Sequence, residues 1–223
     1  LELYSSCLWH VDMQAELCYL AQRLLDFDRL HPVTWCVAGN CFSKQKENQI
    51  AVKLLNRAVT LDPHMAYAHA LCGHEYVLLD EFDKAAESYT KAIAINKNSY
   101  NGWFGLGQIN ERRERYSIAE VHFRKAYEIN PLCVPLRCHL ASVLCYRQRF
   151  KDALRILSDE ATTQAMPSLR FERAKVLEAL GKDEEALTEL EKVKDAVPRE
   201  CSVYFWMGRI CKRLGRNDLA ISH

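Results

Sequence analysis

A spacing of 34 residues, carried along the whole chain, limits what this sequence can fold into. Gly39, Gly73 and Gly107 stand 34 apart, Ala141 follows at 34, Ala174 at 33 and Gly208 at 34. Ala51, Ala85, Ala119, Ala153, Ala186 and Ala220 form a second series with the same steps, including the single step of 33. Two series sharing one slip, between Ser158 and Pro167, describe one structural element copied along the chain.

Larger residues fill the same lattice. Trp35 and Trp103 precede Gly39 and Gly107 by four, and Phe42 and Tyr76 follow Gly39 and Gly73 by three. Ala58, Ala92 and Ala126 lie seven after the alanine series, and Pro63, Pro131 and Pro198 close their copies. Each copy holds two amphipathic stretches of helical period, which predicts an all-α chain of helix pairs. Glycine and alanine mark where two helices approach closely. Proline ends the second helix, because it lacks an N–H and disfavours helix before it. One such pair cannot bury its apolar face alone, so neighbours must stack.

This pattern resembles the tetratricopeptide repeat, W-x-x-L-G-x-x-Y, then A-x-x-x-F, then P. The chain reads Trp103-x-x-Leu106-Gly107, Ala119-x-x-x-Phe123, Ala126 and Pro131, with Asn110 in place of tyrosine. The resemblance implies a right-handed superhelical solenoid. Read this way, residues 1–223 form one solenoid. Full repeats span 32–65, 66–99, 100–133, 134–166 and 167–200; 1–31 is a degenerate repeat and 201–223 a truncated one. Arg137 and Arg170 occupy the tryptophan position, and Glu160 and Val193 stand where alanine is usual. The chain begins Leu1-Glu2-Leu3 and stops three residues after Ala220, so it reads as a segment of something longer.

Composition excludes several functions. Thirty Lys and Arg against 29 Asp and Glu leave a formal charge of +1, which argues against a nucleic-acid footprint or an electrostatic membrane anchor. No apolar run approaches the ~18 residues of a membrane helix. The ten cysteines include no Cys-x-x-Cys pair, so they are expected to be free, mostly buried thiols, with no metal and no disulfide. The eight histidines lack metal-site spacing. Gly102-Trp103-Phe104-Gly105-Leu106-Gly107 lies inside a first helix and does not form a phosphate loop. Glu111-Arg112-Arg113-Glu114-Arg115 reads as a solvated helix end, and Gly181-Lys182-Asp183-Glu184-Glu185 as a turn whose acids favour the next helix N-terminus. No catalytic constellation emerges. The chain reads as a binding scaffold, not an enzyme, with no cofactor.

In tetratricopeptide solenoids the first helix of each repeat lines the concave face. By helical spacing, the residue after the lattice Gly or Ala faces that groove, as do those four before and three or four after it. The candidates are Asn40 and Ser43; Tyr67, Ala70, His74 and Val77; Asn101, Phe104, Gln108 and Glu111; and Cys138, Ser142 and Cys145. Polar amides beside small and apolar residues suit an extended peptide.

Several segments carry a closer resemblance. They are Leu8-Trp9-His10, Trp35 to Ser43, Ala66-Tyr67-Ala68, Gly73 to Leu78, Tyr100 to Gly107 and Val197 to Phe205. Together they resemble the C-terminal repeats of the cell-division-cycle-27 family of subunits of the anaphase-promoting complex. That resemblance implies a non-catalytic scaffold in a ubiquitin ligase of the nucleus and cytoplasm. It also implies a groove for the C-terminal Ile-Arg tails of activator proteins and of a small core subunit. Other repeat subunits would be neighbours, and a homodimer would form through N-terminal repeats. Asn40, Asn101 and Gln108 would supply donors to such a tail, Glu111 an acceptor for its guanidinium, and Phe104, Ala70 and Val77 an apolar wall. On this reading Asn40 faces the groove and not the core. A co-chaperone receptor for acidic tails is the alternative, but only Asn40 matches among Cys36, Asn40, His74, Asn101 and Gly105. A repeat arm of a larger enzyme is a third reading.

Overall fold

A computed structural model describes residues 1–158 and 166–216. Among them are thirteen helices and no strand. They are α1 (Glu2–His10), α2 (Gln14–Phe27), α3 (Pro32–Lys44), α4 (Asn48–Leu61), α5 (Ala66–Leu78), α6 (Phe82–Ile95) and α7 (Tyr100–Arg112). These are followed by α8 (Tyr116–Ile129), α9 (Val134–Tyr146), α10 (Phe150–Leu157), α11 (Pro167–Ala179), α12 (Asp183–Ala196) and α13 (Cys201–Arg213). The lattice slip, Glu160 and Ala220 lie wholly or partly outside the described residues.

The chain forms two compact units, the first ending at Arg113 and the second starting at Glu114. In the first, α3 packs on α4, α5 on α6, and α6 on α7. In the second, α8 packs on α9, α9 on α10, and α11 on α12.

The small-residue lattice has a physical counterpart on the second helix of each pair. Leu55, Tyr89, Phe123, Leu157 and Leu190 recur with the same steps and are all buried. A Cβ on Gly39 would lie 2.7 Å from Leu55, and one on Gly73 would lie 2.5 Å from the Tyr89 ring. Gly105 of α7 also meets that ring, again with no room for a side chain. Tyr89 therefore packs against two glycines from different helices.

The tryptophan position is also explained. Trp35 Nε1 donates to the Arg29 carbonyl (2.8 Å) and Trp103 Nε1 to the Lys97 carbonyl (2.9 Å). His69 and Tyr204 occupy the same position in their repeats, and each ring meets the carbonyl six residues earlier, Pro63 at 3.0 Å and Pro198 at 2.8 Å. The position asks for a flat side chain with a polar hydrogen at the right reach. It fastens the preceding loop to the helix and satisfies a carbonyl that the helix leaves open.

A third lattice lies in the turns. Asp12, Lys46, Asp80, Glu114 and Gln148 have positive φ, and Gly181 and Gly215 continue the series. Around Lys46 the backbone bonds run from Lys46 N to the Ser43 carbonyl and from Glu47 N to the Phe42 carbonyl. The same pair of bonds recurs around Asp80, Gln148, Gly181 and Gly215. This left-handed cap ends each first helix and reverses the chain into the second.

In the second unit Glu120 is buried and receives Arg124 and Arg149, both at 2.7 Å, and Arg147. Three guanidinium groups hold its carboxyl below the ordinary carboxylate range, outweighing the opposite pull of burial.

The expectation of ten free thiols is corrected. Cys18 of α2 and Cys41 of α3 form a disulfide, their Cα atoms 5.5 Å apart. Sequence spacing did not reveal it, because the pair lies 23 residues apart and meets only when the two helices pack side by side. The other eight form no disulfide; Cys36, Cys72 and Cys211 are buried, and burial raises the Cys72 thiol to about 12. Titration with a thiol reagent in denaturant should count eight thiols before reduction and ten after. Ten before reduction would refute the disulfide.

Candidate functional site

In the first unit the candidate residues fall into two sets. Asn40 sits in the middle of α3, and its side-chain amide donates to Ser5 Oγ at 3.2 Å and to the Tyr67 hydroxyl at 3.1 Å. Ser6 Oγ lies 2.7 Å from the same hydroxyl, which also reaches the Glu2 carbonyl at 3.5 Å. A polar cluster thus joins α1, α3 and α5. Ser5 and Ser6 were not singled out in the sequence, where α1 read only as a degenerate helix.

Asn40 is 5% exposed and Ser43 7% exposed. The expectation that Asn40 stands clear of the core is therefore corrected. Its amide is built into the packing of three helices, because α1 lies over the middle of α3. Ala70 is buried as well. Tyr67, His74 and Val77 are partly exposed.

Asn101, Phe104, Gln108 and Glu111 recur every three or four residues on α7 and all retain some exposure. Phe104 stacks on Tyr100 at 5.7 Å between ring centres. These four share one helical face, as the spacing requires.

His74 turns toward α6. Its Nδ1 lies 2.8 Å from the Tyr89 hydroxyl, with the rings edge to face. Loss of water around the ring, and secondarily the charge of His10, push its pKa down to about 4. The folded pKa lies below the free value, so the unfolded chain binds the extra proton as pH falls from 6.5 toward 4. Stability associated with His74 should thus be complete above pH 6.5 and decline on acidification through that window. Urea melts at pH 7.0 and 4.5 should show this fall, and His74→Gln should reduce it. An unchanged pH slope in the variant would refute the assignment.

Glu75 was missed by sequence reading. It is 5% exposed, and its Oε2 has no hydrogen-bond partner. Burial raises its pKa, opposed by a hydrogen bond from Ser43. A clue existed in the lattice: the positions 34 residues to either side are Cys41 and Ile109, both buried. A carboxylate in a column otherwise filled by apolar side chains is an anomaly that periodicity exposes.

Stacked helix pairs with small-residue crossings, capped turns and ring-fastened loops define a tetratricopeptide-repeat protein, and the family profile for that repeat matches residues 73–132. The solved Cut9–Hcn1 hetero-tetramer of the anaphase-promoting complex superposes on this fold. Its TM-score is 0.84 at 16% identity, covering 100% of this chain and 44% of that one. Sequence relatives narrow the class. Anaphase-promoting complex subunit 3 of Schizosaccharomyces pombe is 38% identical over 100% of this chain and 34% of its own length. Cell division cycle protein 27 homolog B of Arabidopsis thaliana is 41% identical over 100% of this chain and 30% of its own length. The chain belongs to this cell division cycle protein 27 and anaphase-promoting complex subunit 3 family, and it spans about a third of the length of these curated relatives.

Proposed function

We propose that the chain is a tail-binding repeat region of a non-catalytic scaffold subunit of the anaphase-promoting complex, working in the nucleus and cytoplasm beside other repeat subunits. It captures C-terminal Ile-Arg tails of activator proteins and of a core subunit on the first helices of the first unit. The observation that supports this most is homology along the whole chain to subunits of that complex. The exposed face of α7 adds to it: Asn101 and Gln108 offer donors, Phe104 an apolar wall, and Glu111 an acceptor for guanidinium. A charge-assisted pair of that kind contributes about 1.5–3 kcal/mol when shielded from water.

Fluorescence anisotropy with labelled tail peptides tests the reading. A peptide ending in Ile-Arg should bind more tightly than the same peptide amidated at its C-terminus, and more tightly than one ending in Glu-Glu-Val-Asp. Equal binding of the three would sink it, and preference for the acidic tail would favour the co-chaperone type. Asn101→Ala should weaken tail binding several-fold with little change in the melt. Asn40→Ala should lower folding stability by roughly 1–2 kcal/mol, because the amide holds Ser5 and Tyr67. An unchanged melt would show that the α1–α3–α5 cluster carries no packing role.

A further inference from the structure

The second unit contains a cavity of about 630 Å³ that includes the groove candidates Ser142 and Cys145 but none of the residues assigned above to the tail. Its walls come from α9, α11 and α13, with Phe150 at the start of α10. Ser142, Lys175 and Arg209 line it, and each directly follows a small lattice residue, Ala141, Ala174 or Gly208. The same repeat position therefore supplies one side chain from each of three successive first helices.

Charge is layered in this cavity. Lys175 reaches both Glu172 oxygens, at 2.9 and 3.0 Å, and its ammonium lies 5.9 Å from the centre of the Trp206 ring. Arg209 stacks on that ring at 3.8 Å and contacts Glu178 through Nε and Nη2. The side chains of Lys175 and Arg209 are 30% and 46% exposed, whereas those of Glu172 and Glu178 are 17% and 7% exposed. The anions lie behind and the cations in front, so an entering group meets positive charge first. A guanidinium has five N–H donors, and Arg209 commits two of them to Glu178. Tyr146, Phe150 and Trp206 add aromatic walls.

We propose that this cavity is a second binding site, for a partner peptide segment that presents a carboxylate beside an aromatic side chain. The carboxylate bonds to Arg209 and Lys175, and the ring packs against Tyr146 and Phe150. A carboxylate fits better than a phosphate, because each cation already shares a carboxylate, Lys175 with Glu172, Arg209 with Glu178, and Arg213 with Glu178 and Asp183, which leaves little uncompensated positive charge for a dianion.

The test uses the full 223-residue chain and blocked peptides of sequence Ala-Glu-Phe-Ala, Ala-Gln-Phe-Ala and Ala-phosphoSer-Phe-Ala. Binding is followed through the indole N–H resonance of Trp206, assigned with Trp206→Phe. The glutamate peptide should shift that resonance and bind at least threefold tighter than the glutamine peptide. Arg209→Gln and Lys175→Gln should each abolish the difference. Raising the salt on the wild-type protein should shrink it too, a readout that needs no variant to fold. Equal binding of the glutamate and glutamine peptides, or no response at Trp206, overturns the site. Tighter binding of the phosphoserine peptide overturns the carboxylate assignment, and a preference that survives in both variants overturns the residues named.

Discussion

Tyr89→Ala is expected to destabilise the first unit by about 3–5 kcal/mol, the range for removing a large buried aromatic. The ring is fully buried and packs against Gly73 of α5 and Gly105 of α7. Neither glycine has a side chain that could move into the void, and their backbones are fixed by their own helices. The cavity should therefore stay open, which places the cost at the upper end of such substitutions. Tyr89→Phe separates packing from hydrogen bonding. It keeps the ring and removes only the bond to His74 Nδ1, so it should cost about 1 kcal/mol. Urea unfolding of both variants at pH 7 checks this. Equal losses would mean that the hydroxyl, not the ring, holds the three helices together.

Arg137→Ala should destabilise the second unit by roughly 2–4 kcal/mol. Arg137 takes the place where two other repeats carry tryptophan, and it is 1% exposed. Its Nε and Nη2 donate to the carbonyl of Ile156 in α10, at 3.1 and 2.8 Å. Truncation removes the buried stem and leaves that carbonyl without these donors. Arg137→Met restores volume without the donors and should recover about half of the loss, since a buried polar anchor can often be replaced by an apolar group of similar size. A Met variant as unstable as the Ala variant would assign the whole effect to the hydrogen bonds. Thermal melts of the intact chain distinguish the two.

These substitutions mark where sequence reading was sufficient and where it was not. The glycine and alanine columns were legible because small residues at a fixed interval have one common cause, close helix approach. The burial of Tyr89 and Phe123 follows from the same lattice. Arg137 was recognisable as a departure from the repeat, but its carbonyl partner was not, because that bond joins two helices that only folding brings together. Asn40 was legible as a special residue and misplaced as a free one. Helical spacing places a side chain on a face. It does not report that α1 lies across that face with Ser5 and Ser6. The Cys18–Cys41 pairing was hidden for the same reason. The α7 residues were easier, since one uninterrupted helix fixes their common face.

The left-handed turns are the least legible lattice, since five of their seven residues are not glycine. That conformation costs an ordinary residue roughly 1–2 kcal/mol. Glycine would remove the strain but lose roughly 0.5–1 kcal/mol through its freer unfolded chain. The two effects partly offset each other and leave glycine favoured by only about 0.5–1 kcal/mol, so selection for stability exerts a weak preference over which side chain stands there. Asp12, Lys46, Asp80, Glu114 and Gln148 accordingly span negative, positive and neutral groups at equivalent points of one architecture. A preference that weak lets the side chain vary, so repeats of one architecture carry different charges at equivalent exposed points.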